Sequence, residues 1–441
     1  MDYYDLGEYS RPVTTSSSDA QLWFDRGLIW TYGYNHEEAI ECFQRAVAAD
    51  PGCAMAHWGI AYCIGPNYNK AWDAFEDDEK PAALDLALCS LAEARKAVTA
   101  ISGVERDLIE ALAARYPAEG SPDDFAPFND AFANAMREVH GRHAEDLDVC
   151  TVFAEALMNR TPWELWDLAT GEVADGADTE EARSVLETAF QRADAWHHPG
   201  LLHMYIHLME MSPHPELALR HGDALAELVP DGGHLVHMAT HIDVLCGDYM
   251  NVVSRNHRAI EADNRYLQRA GADNFYTVYR CHNYHFKIYG AMFLGQAGVA
   301  LETADELAAA LPPSVLSPMA DWFEAFVPMK QHALIRFGRW QDILDQALPG
   351  DAGLYSVTMA MMRYARTVAL ANLKRIADAE QERDAFIGAR DAVPETRMLF
   401  NNTCLDILQV AEQMMLGELA YHRGDYDVAF EHLRRSVALD D

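Results

Sequence analysis

The chain has 441 residues, and its 34 Lys and Arg against 69 Asp and Glu give a formal charge of −35. With no surplus of cations to neutralise phosphates, this balance argues against a nucleic-acid partner and against an acidic membrane surface. Half of the residues are hydrophobic and 23% are charged, a composition that predicts a chain folded nearly throughout.

The eight cysteines form no C-x-x-C pair and read as reduced thiols, as in a cytoplasmic protein. The amino terminus has no basic stretch leading into an apolar run, and no apolar segment approaches the roughly 18 residues of a membrane span.

In chain order, residues 1–18 read as a partly disordered arm, with Ser and Thr clustered before the first helix. Trp23, Gly27, Trp30, Ala39, Phe43, Ala46 and Pro51 follow at the large-small-large spacing of two interlocking helices, Gly27 and Ala39 allowing close approach. His57, Trp58 and Ala61 open a second unit that breaks at Gly65-Pro66, leaving Asn67, Tyr68 and Asn69 in a loop.

Amphipathic helical runs are predicted at 82–100, 105–115, 128–140 and 149–159, with a loop over 117–127 and poor repeat register from 81 to 166. Asp178 with Glu181 three residues later has the chemistry of a capping box. Register returns after Trp196: Gly247 with Ala259, Gly295 with Ala300, and Gly424 with Ala429 mark successive helix pairs. No stretch alternates β-branched residues, so the fold reads as all-α. The expected segments are 19–170, a His-rich centre over 171–311, and 312–441, the last two separated at Pro312-Pro313.

Twelve of the 19 histidines fall between His197 and His285. His203 and His207 recur as His237 and His241 after 34 residues, and His234 and His237 recur as His282 and His285 after 48. A shift of 34 is the period of a helix-turn-helix repeat, which predicts equivalent places for these rings on successive repeats. Residues three, four and seven apart share one helix face, and neighbouring helices lie about 8–10 Å apart, so imidazoles from adjacent units can approach one ion.

These features resemble the tetratricopeptide repeat family, in particular long, His-rich microbial and eukaryotic members. The residues that carry the resemblance are His234-Leu-Val-His237-Met238-Ala-Thr-His241-Ile242, Cys281-His282-Asn283-Tyr284-His285, Tyr34 to Ala39, and Trp58 to Ala61. The resemblance implies an α-solenoid, a right-handed superhelix of antiparallel helix pairs, and a scaffold that binds a peptide or protein partner in its groove. Counted in repeat positions, His234 and His282 fall at 2, His203, His237 and His285 at 5, and His207 and His241 at 9. The family places those positions on the concave face.

The leading expectation from the histidines is a metal-dependent enzyme with its site in the concave middle of the solenoid, the groove-binding scaffold being the alternative. His203, His207, His237 and His241 are its principal ligands, with His234, His282 and His285 as further ligands or orienting groups. Glu210, three residues after His207, offers a carboxylate ligand or a general base. A set of imidazoles and one carboxylate without thiolate suits Fe(II), Zn, Mn or Cu. Tyr205, Tyr284, Tyr289, Asn67 and Asn69 are the candidate contacts to a small-molecule substrate, with oxidation slightly preferred over hydrolysis. No G-x-x-x-x-G-K-[ST], G-x-S-x-G, H-E-x-x-H or G-x-G-x-x-G occurs, which removes support for nucleotide-driven or hydrolase-elbow chemistry.

Overall fold

The computed structural model describes residues 3–97, 101–118 and 120–440. They form two compact units, one of residues 1–248 with 261–269, the other of 249–260 with 270–441.

The first unit contains α1 (Ser18–Tyr32), α2 (His36–Ala49), α3 (Ala54–Cys63), α4 (Glu79–Lys96), α5 (Gly103–Leu112), α6 (Ala126–His143), α7 (Leu147–Met158), α8 (Thr179–Ala189), α9 (Pro199–Met209), α10 (Leu219–Leu228) and α11 (Gly233–Leu245). Helix α12 (Tyr249–Ala270) supplies residues to both units. The second unit continues with α13 (Thr277–Phe293), α14 (Ala297–Ala310), α15 (Pro313–Leu316), α16 (Ala320–Phe323), α17 (Met329–Arg336), α18 (Trp340–Leu344), α19 (Ser356–Asn372), α20 (Ile376–Arg390), α21 (Cys404–Arg423) and α22 (Tyr426–Asp440). Among the described residues the strands are two-residue pieces, β1 (Met398–Leu399) and β2 (Asn402–Thr403), paired antiparallel. The fold is all-α, and most helices pack on their chain neighbours, as in a repeat architecture, with longer connections over residues 64–78 and 159–178.

The first hairpin shows why these residues pack so closely. Phe43 on α2 lies between Gly27 of α1 and Gly59 of α3, and a Cβ added at either glycine would come within 2.7 and 2.6 Å of the ring. Asn35 caps α2 by accepting from the Glu38 backbone N–H at 3.2 Å. Ser102 and Glu105 form a full capping box on α5.

Three expectations need correction. Asp178 does begin α8, but its side chain makes no cap hydrogen bond and pairs with Arg160 instead. The arm is held over its described residues: the Tyr3 hydroxyl donates to Glu38 at 2.7 Å, the Thr14 N–H donates to Glu105 at 2.7 Å, and Arg11 bonds Asp146 at 2.7 and 2.9 Å and Asp148 at 2.5 Å. The third concerns Pro312-Pro313, which is no boundary. Leu311 and Leu316 on either side belong to one core cluster of the second unit, and the units divide near residue 248.

Candidate functional site

Pro199 at the first turn and the His198 ring, which accepts from the Leu201 N–H at 3.1 Å, start α9. His203 and His207 then stand one turn apart on the same face. His234 comes from the first turn of α11 and Tyr34 from the turn after α1. The Tyr34 ring centroid is 4.7 Å from that of His203 and 5.8 Å from those of His207 and His234. One ring nitrogen from each of His203, His207 and His234 lies within 4.8 Å of the others.

Hydrogen bonds fix how the first two rings are protonated. The Tyr32 carbonyl can only accept, so His203 Nδ1 carries the proton and donates to it at 2.6 Å. His207 Nδ1 donates to Glu210 Oε1 at 2.6 Å. Each ring therefore keeps a lone pair on Nε2, and both Nε2 atoms are buried without a hydrogen-bond partner. The residues themselves are only 0%, 1% and 2% exposed for His203, His207 and His234. Burial pushes all three imidazoles below their usual range, and for His207 it outweighs the opposing pull of Glu210.

Glu210 does not sit as a general base. Its second oxygen accepts from His241 Nδ1 at 2.5 Å, so each oxygen is taken by an imidazole. Burial raises its pKa, but His241 and His207 more than offset this and hold the carboxyl well below the usual range. Such a group is a weak base, and its two oxygens hold the His207 and His241 rings in place. His241 Nε2 in turn meets His237 Nε2 at 2.9 Å. The first unit thus sorts its imidazoles differently from the expected ligand order: His203 and His207 converge with His234, while His237, His241 and Glu210 form a hydrogen-bonded chain.

Aromatic residues close on His207. Tyr68 lies 5.0 Å and Trp163 5.7 Å from it, ring to ring, and they stand 5.1 Å from each other. The Tyr68 hydroxyl is also buried without a partner. Tyr34 and Trp163 have φ of 53° and 64°, a left-handed backbone that costs bulky residues energy and is retained where surroundings enforce it. Sequence reasoning missed Tyr34, Tyr68 and Trp163 as site residues. The available sign was an aromatic side chain set among turn formers, as in Gly33-Tyr34-Asn35 and Asn67-Tyr68-Asn69. Glu155, from α7, accepts from the Tyr62 hydroxyl, and burial raises its pKa.

Three of the expected substrate contacts, Tyr205, Tyr284 and Asn67, have packing or hydrogen-bond partners away from the three converging imidazoles. Tyr205 points away from His203 and His207: its ring packs 4.1 Å from His221 and 5.6 Å from Phe190, and its hydroxyl donates to Glu187 at 3.2 Å. Tyr284 belongs to the core of the second unit. Asn67 shapes its own loop by accepting from the N–H groups of Asn69 and Lys70, both at 2.9 Å, in the turn that delivers Tyr68, whereas the Asn69 side-chain oxygen is buried without a partner.

Tyr289 is 38% exposed and lines an apolar cavity of about 290 Å³ in the second unit, with His285 and His332. Burial and then His332 push His285 down to about 4. His282, also in the second unit, packs 4.5 Å from both Phe286 and Phe400.

The second unit also carries an uncovered apolar stripe. Tyr426, Phe430 and Val437 fall on one face of α22 and are 54%, 44% and 61% exposed, with Tyr421 of α21 packed 5.3 Å from Tyr426. No described helix is long and apolar enough to cross a membrane.

The described residues form an all-α protein of successive helix pairs. No family model matches the sequence, and no curated protein is similar to it. Similar solved structures include the Cut9–Hcn1 hetero-tetramer of the APC/C (12% identity, TM-score 0.31, covering 95% of this chain and 76% of that one). Naa15/Naa10 bound to HypK-THB is another (14%, 0.27, covering 96% and 58%), as is the TPR domain of P58(IPK) (13%, 0.20, covering 96% and 98%). These values describe distant likeness, and the helix pairs themselves carry the assignment of the fold.

Proposed function

We propose that this chain is a helical-repeat scaffold that binds a protein partner through an amphipathic helix. The observation that carries the reading is the stripe formed by Tyr421, Tyr426, Phe430 and Val437. Aromatic and aliphatic side chains exposed together on one helix face at this spacing fit the apolar face of an amphipathic helix. A photo-crosslinking residue placed at Phe430 in cells tests it, with one at exposed Glu306 of α14 as control. One discrete heterologous product at 430, lost with Tyr426→Asp and Val437→Asp, supports the reading when a peptide spanning the crosslinked segment also binds the purified chain. Self-crosslinking alone, or equal products at both positions, would overturn it.

A second reading is a metal-dependent enzyme acting on a small molecule, oxidation being preferred over hydrolysis. The convergence of His203, His207 and His234 favours it. Three protein nitrogens leave a fourth position, as catalytic metal sites do, but the rings are at most 2% exposed, which limits the access of a substrate to an ion held there. Turnover by the metal-loaded chain that vanishes with His203→Ala would promote this reading over the first.

A further inference from the structure

We propose that His203, His207 and His234 form a closed binding site for one divalent first-row transition-metal ion of the Zn(II) or Fe(II) kind. The site joins α9 to α11 beneath Tyr34. It stands whether or not the α22 face takes a partner.

Four observations carry it. First, three atoms no more than 4.8 Å apart share a point within about 2.8 Å of each, so bonds of about 2.0–2.1 Å need each ring to move in by under about 1 Å. Second, buried polar atoms are almost always satisfied, yet the Nε2 atoms of His203 and His207 have no partner. An imidazole lone pair left so in an apolar setting costs free energy that a cation would recover.

Third, the opposite nitrogen of each ring is pinned in the manner of metal-bound histidines: His203 Nδ1 to the Tyr32 carbonyl and His207 Nδ1 to the Glu210 carboxylate. In both rings the bond at Nδ1 leaves Nε2 as the buried nitrogen with a lone pair to give. Fourth, the donor set selects the ion. Neutral nitrogens without a ring of oxygens suit neither Ca²⁺ nor Mg²⁺, and the absence of thiolates from the triad argues against Cu(I) and iron–sulfur clusters. Glu210 sets a negative charge behind His207, against the charge of the ion.

Titration of the full-length chain with Zn(II) and with Co(II), followed by calorimetry and by the visible absorption of Co(II), tests the site. The expected result is one equivalent bound tightly, with the intense visible bands of low-coordinate Co(II). His203→Ala with His207→Ala should weaken binding at least 100-fold, and Glu210→Gln should weaken it about 10–100-fold, as loss of an orienting partner does. His214→Ala, on a side chain 65% exposed, should change nothing. Circular dichroism checks that the variants stay helical; where the double variant does not, Glu210→Gln, which keeps side-chain size, decides. No binding by the parent chain, or parent-like affinity in the helical double variant or in Glu210→Gln, would overturn the site.

Discussion

Arg11→Ala should destabilise the first unit far more than the loss of an arm residue would suggest. Asp148 is 7% exposed and accepts from Arg11 at 2.5 Å, from the Tyr9 hydroxyl at 2.7 Å and from the Tyr32 hydroxyl at 2.5 Å, with His198 Nε2 at 3.3 Å. Burial alone would raise the Asp148 pKa; the Arg11 charge, with help from His198 and Tyr32, holds it far below the usual range instead. Removing the guanidinium strands a buried carboxylate, a loss of about 3–5 kcal/mol. In a unit of this size each kcal/mol moves the midpoint about 2–4 °C, so a drop of roughly 6–20 °C is expected in thermal melts. Asp148→Asn added to Arg11→Ala removes the stranded charge and should recover part of the loss, a non-additive result. Additive losses, or a midpoint within about 2 °C of the parent for Arg11→Ala, would refute the reasoning. The same carboxylate fixes a pH window. Its folded pKa lies below the ordinary value of 3.8, so its contribution is present above that value and fades as pH falls below it. Tyr32 also lends its carbonyl to His203, so this ion pair buttresses the imidazole cluster from behind.

The core makes a paired prediction: Gly59→Ala forces a Cβ to 2.6 Å from Phe43 and should cost about 1–3 kcal/mol. Gly141→Ala, in α6 with nothing within 4 Å of the added carbon, should gain up to about 1 kcal/mol in urea unfolding. Burial pushes His36 from 6.5 down to about 3, against the Cys63 carbonyl that favours its charged form. A depressed imidazole contributes stability above the unfolded value that is lost as pH falls from 6.5 toward 3, near 1.4 kcal/mol by about pH 5.5, and His36→Gln should flatten that part of the stability profile. Tyr205→Phe should cost about 1 kcal/mol for its bond to Glu187 and leave Zn(II) affinity unchanged in the same titration, because that ring faces His221.

Much of this was legible wherever one helix decides. Gly27, Ala39 and Phe43 announce the first hairpin by size alone, and the spacing of His203 and His207 places both rings on one face before any tertiary contact is known. The same geometry contains the correction for Tyr205 and Tyr284. Tyr205 lies two residues from both His203 and His207, and Tyr284 two from His282 and one from His285, spacings that turn each away from the face those histidines share.

What the sequence could not supply is which rings meet across helices. The repeat period pairs His203 and His207 with His237 and His241, yet the packing of α9 against α11 brings His234 to them and sends His241 to Glu210. In the loop after Gly65 turn chemistry explains Asn67, and the aromatic residue beside it reaches the site. The arm looked disordered because its Ser and Thr cluster is locally featureless, while the partners of Tyr3, Arg11 and Thr14 lie 35, 135 and 91 residues away.

X-ray absorption at the metal edge of the Zn(II)-loaded chain tests the central claim most directly. The triad predicts nitrogen neighbours at about 2.0–2.1 Å with the outer-shell scattering of three imidazole rings, reduced in the His234→Ala chain. A first shell of carboxylate oxygens, or an imidazole count unchanged by that substitution, would contradict it.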